Sequence, residues 1–76
     1  MEPISEALQL LKRQSEIQHR LRRGAHPLRV TEERELYLIR KALAHFPAAV
    51  QAIALTAAEL HRPIDALTVT DVERRC

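Results

Sequence analysis

Residues 47–61 read Pro-Ala-Ala-Val-Gln-Ala-Ile-Ala-Leu-Thr-Ala-Ala-Glu-Leu-His, and this stretch decides the fold. Alanine and leucine dominate it, and both are strong helix formers. Proline stands first, where its missing N–H costs nothing and its fixed φ favours a helix. Between Ala48 and Leu60 only Gln51, Thr56 and Glu59 are polar, so a helix over 47–61 is apolar nearly all round and needs cover on several sides.

Immediately upstream, His45 to Pro47 predicts a kink or a tight corner, because proline inside a helix removes a hydrogen bond and clashes with the preceding turn. Residues 32–45 carry Leu36, Ile39 and Leu43, with Phe46 just beyond them, at three- and four-residue spacing, widened by Leu38 and Ala42. That period predicts a second helix with one buried stripe. Thr31 reads as its N-cap, followed by Glu32, Glu33 and Glu35 at the positive end of the helix dipole.

The segment Gly24 to Val30 has no period, and Pro27 disfavours helix at His26, so a loop over 24–30 separates this helix from an earlier one. The earlier helix spans about residues 3–23, with Pro3 and Glu6 in its first turn and arginines before a Gly24 cap. Ala7, Leu10, Gln14, Ile17 and Leu21 form one stripe along it, with Ile4, Leu8 and Leu11 beside it near the start. Downstream of residue 61, Arg62-Pro63 breaks the helix, and a linker from Ile64 to Val69 has room for a single turn. Thr70 with Glu73 then matches a capping box, predicting a short helix over about 71–75.

These elements give an all-α fold: a small antiparallel three-helix arrangement with a short fourth C-terminal helix, one domain over residues 1–76. A single glycine and 3% aromatic residues leave little from which to build strands and hairpins. A domain of this size buries only about 60% of its unfolded surface, so it often needs a supplement to its core. Self-association is the natural supplement. Ala48, Ala52, Leu55 and Ala58 present a small-residue side against which a second copy can pack closely, predicting a homodimer.

The residue pattern argues against catalysis. His19, His26, His45 and His61 have no mutual spacing of three or four residues, so no two share a helix face as metal ligands. Cys76 stands alone, and one glycine cannot build a phosphate-cradling loop. We therefore expect no enzyme activity, no cofactor and no metal. The lone cysteine offers no internal disulfide, and no apolar run reaches the roughly 18 residues that span a bilayer. The expectation is a cytoplasmic protein with no membrane partner.

The strongest functional candidate is a basic patch: Lys12, Arg13, Arg20, Arg22, Arg23 and Arg29 face a single acid, Glu16, within their stretch. Clustered cations attract an acidic protein partner or phosphate. Arginines in a last helical turn also suit the dipole alone. A helix-turn-helix reading meets an obstacle, because the helix over 47–61 carries no cation to meet a DNA groove. The expected function is thus a small interaction or regulatory module, self-associating through apolar helix faces. The alternative is a nucleic-acid-binding accessory protein using the basic patch.

Overall fold

The computed structural model describes residues 2–22 and 30–75. It contains α1 (Ile4–Arg22), α2 (Val30–Leu43), α3 (Pro47–Leu60), a 3-10 turn (Ile64–Ala66) and α4 (Val69–Glu73), with no strand among the described residues. The three long helices pack together, and α1 is the common partner: α2, α3, the 3-10 turn and α4 all lie against it. The helix over 47–61, apolar nearly all round, is thus not the one on which the others converge.

Two separate apolar clusters result. In the larger, Ala7 and Leu8 of α1 meet Ala49 and Ile53 of α3, together with Leu67 and Val72. In the smaller, Ile17 of α1 meets Leu36 and Ile39 of α2, with Leu10 and Leu43 packed beside them. The axes of α2 and α3 diverge by 102°, so the two helices cover different parts of α1. The corner between them is closed by backbone bonds from His45 N–H to the Ala42 carbonyl and from Phe46 N–H to that of Leu43, both 3.0 Å. Phe46 has left the α2 stripe and packs on the larger cluster instead. Leu38, also expected in that stripe, is exposed.

Helix ends follow local chemistry. Thr31 lies inside α2, so it is not the N-cap, and α2 occupies 30–43 where 32–45 was expected. Proline is the first residue of α3, and Phe46 at its N-cap offers no side-chain acceptor. Glu2 supplies one from 47 residues away: its Oε1 accepts from the Ala49 N–H at 3.1 Å. A carboxylate there meets both the orphan donors and the positive dipole end. At the other end His61 adopts a left-handed φ of 52°, and the His61 and Arg62 N–H groups return to the Ala58 and Ala57 carbonyls. That closure is the Schellman pattern, usually made with glycine.

The final helix starts earlier than expected. Thr68, not Thr70, is its N-cap: Thr68 Oγ1 accepts from Asp71 N–H at 3.2 Å and Asp71 Oδ2 accepts from Thr68 N–H at 3.0 Å. Two overlapping threonine–acid pairs compete in this sequence. The helix over Val69–Glu73 turns Val72 into the core, where it is fully buried beside Leu67.

Among the described residues no single helix is long and apolar enough to cross a membrane. The molecule is flat, 38 × 25 × 14 Å, with a radius of gyration of 13.1 Å. A compact domain of this length has a radius near 11 Å. One long helix with its partners spread along it explains the excess.

Candidate functional site

Part of the expected basic patch is engaged within the molecule. Arg13 Nε approaches Glu35 Oε2 at 2.6 Å while its Nη2 reaches Oε1 at 3.0 Å, a two-pronged pair that carries geometric as well as electrostatic specificity. Its Nη1 also lies 3.3 Å from Glu16 Oε2. Arg20 lies 3.4 Å from Glu16 Oε1 and 3.7 Å from Glu32 Oε1. Two of the six patch cations are therefore engaged by carboxylates, two of which come from the neighbouring helix. Lys12 and Arg22 make no ion pair among the described residues, and Arg23 and Arg29 lie outside them.

The electrostatics match the geometry. The hydrogen bond from Arg13 holds the Glu35 carboxyl below its ordinary value, and the same bond raises the Arg13 guanidinium above its own. Likewise, bonds from the Thr68 backbone and hydroxyl lower Asp71. None of these shifts places a group near neutrality, as a general acid or base would require.

An open groove of about 430 Å³ runs beside the seam, lined by Lys12, Glu16, His19, Arg20 and Asp65. Ser15 Oγ donates to Asp65 Oδ2 at 3.2 Å across its edge. Among the described residues no group of three or more His, Cys, Asp or Glu side chains converges as a metal site.

The exposed apolar surface lies on two other helix faces. On α3, Ala48, Gln51, Ala54, Leu55 and Ala58 are exposed, Leu55 at 56%, and the exposed Glu59, paired with Arg75, stands at the edge of this face one turn after Leu55. Ala52 does not belong with them, since it packs against the larger cluster. Thr56 is buried too, its hydroxyl donating to the Ala52 carbonyl at 2.8 Å. On α2, Val30, Tyr37 and Leu38 are exposed, and Lys41 Nζ stands 5.3 Å from the centre of the Tyr37 ring. The sequence reading missed this second face. Its signal was present in the spacing of positions 30, 34, 37, 38 and 41, opposite the stripe of Leu36, Ile39 and Leu43.

The chain matches no known protein family, no characterised protein and no solved structure. What it does must therefore be argued from these surfaces.

Proposed function

We propose that this chain is a small non-enzymatic interaction module that pairs with a second copy through the outward face of α3. One observation carries the reading: Leu55 stands exposed among Ala48, Ala54 and Ala58 on a helix whose only ionisable side chain is Glu59. Apolar, uncharged faces of this kind are uncommon on free surfaces. A two-fold contact sets a face against its own copy, which this face allows with little like-charge repulsion because its one acid, Glu59, is paired with Arg75. The flat shape favours the same outcome, because spreading partners along α1 leaves more surface to cover.

The antiparallel arrangement of α1 and α2 belongs to this reading. It is supported by the pairing order, in which Arg13 meets Glu35 and Arg20, further along α1, meets Glu32, earlier on α2. A cytoplasmic setting also belongs to it, since the chain's single cysteine offers no internal disulfide. The nucleic-acid alternative loses support, because engaged arginines release fewer counterions on meeting phosphates. A random duplex should show no retardation even at low salt.

Light scattering at micromolar concentration tests the proposal. The unmodified chain is expected to have twice the chain mass, and Leu55→Glu or Ala58→Glu, at exposed positions, should return a folded monomer with unchanged circular dichroism. A monomer for the unmodified chain at every accessible concentration overturns it.

A further inference from the structure

We infer that the outward face of α2 is a second docking surface, whose occupant is an acidic amphipathic helical segment of a partner protein. The inference deepens the interaction-module reading and rests on it. It starts from how α2 sorts its charges. Glu32 and Glu35 turn toward α1, where they meet Arg20 and Arg13. The cations Arg34, Arg40 and Lys41 are exposed and make no ion pair among the described residues. Two of the three acids of α2 are thus spent against α1, whereas its three cations are left outside.

The apolar residues fall among those cations. Val30 is 80% exposed, Tyr37 57% and Leu38 51%, which makes this the largest concentration of exposed bulky apolar side chains among the described residues. Val30, Arg34, Tyr37, Leu38 and Lys41 stand at steps of four, three, one and three residues, so they lie along one side of the helix. A straight strip of apolar residues flanked by like charges is how one helix receives another. Glu33, one turn before Tyr37, is the exposed acid nearest the strip and marks its edge.

Charge complementarity selects the occupant. A second copy of this face would bring Arg34 and Lys41 against the same cations, a juxtaposition that costs affinity. An anionic membrane is less suited, because the strongly apolar face of α2 is buried on α1 and the outer strip holds three bulky apolar residues only. A nucleic acid would use the cations but leave Val30 and Leu38 without a partner. Acidic residues interleaved with leucines satisfy both halves of the strip.

The test uses the full chain and a labelled peptide of several helical turns, built from Glu and Leu with the leucines at three- and four-residue spacing. Fluorescence polarisation is expected to show binding that weakens with salt and by about tenfold in the double variant Arg34→Glu, Lys41→Glu or in Leu38→Ser. All three positions are exposed, so circular dichroism should be unchanged. No binding of the Glu/Leu peptide overturns the inference. So does equal binding of its Lys/Leu counterpart, equal binding by the double variant, or binding of a random duplex or phosphatidylglycerol vesicles in place of the peptide. The Leu55→Glu monomer should bind the peptide as the unmodified chain does, so failure of self-association and failure of this site read out separately.

Discussion

At the scale of single residues, burial separates side chains that the sequence treats alike. Ile53 is fully buried between α1 and α3, whereas Leu38 stands half exposed on α2, although both fall in apolar helical patterns. Ile53→Ala is expected to destabilise the domain by about 2–5 kcal/mol, through lost burial and the cavity left behind. Leu38→Ala should change stability by less than about 0.5 kcal/mol, as surface substitutions do. Chemical denaturation of the two variants checks both; equal losses would show that the faces of α2 are misassigned. Thr56 makes the same point from the polar side. Its hydroxyl is buried without penalty because the carbonyl one turn back accepts its proton, which a pattern of apolar and polar letters does not reveal.

At the scale of elements, caps and pairs decide where helices start and how they hold together. Thr68→Ala removes the acceptor for the Asp71 N–H and should cost about 1 kcal/mol, while Thr70→Ala, inside α4 and exposed, should cost little. The reverse order of melting temperatures would move the cap back to Thr70. The seam between α1 and α2 gives a pH signature. The folded value of Glu35 lies below its ordinary one, so the folded state binds fewer protons than the unfolded chain in that range. Its contribution is full above the unfolded value of about 4.3 and is lost as pH falls through the folded value. Asp71 acts with the same sign, while Arg13 stays protonated throughout. Melting temperature should therefore drop on acidification, and less steeply in Glu35→Gln; an unchanged slope would mean that the pair contributes nothing. Because the pair is only partly buried, the effect should shrink in high salt.

At the scale of the whole molecule, two clusters of unequal size share one helix. Among the described residues, six buried ones hold α3, Leu67 and α4 against α1, whereas three hold α2. Local opening follows the distribution of buried contacts, so α2 should open before α3. Native-state hydrogen exchange is expected to show lower protection in α2, and Ile17→Ala should lower it further while leaving α3 protected up to the global limit. Uniform protection across α2 and α3 would mean that the clusters act as one core.

The sequence by itself determined that the chain is helical and that helices break before Pro47 and before Pro63, while the loop expected over 24–30 with its Gly24 cap falls largely outside the described residues. Proline at 47, the four-residue periods and the alanine-rich stretch act within one or two turns, and such local preferences are legible without a partner. The α3 residues Ala48, Leu55 and Ala58 were likewise readable as a face, because they share a side of one helix. Only the tertiary structure decided which helix is central, since that depends on the direction each chain break takes in space. The same holds for the fate of the basic patch. Arg13 and Glu35 are 22 residues apart, and nothing local announces that Glu35 and Glu32 return to meet Arg13 and Arg20. The pairing across that distance draws Arg13 and Arg20 of the apparent patch into the seam between α1 and α2, while Lys12 and Arg22 make no ion pair among the described residues.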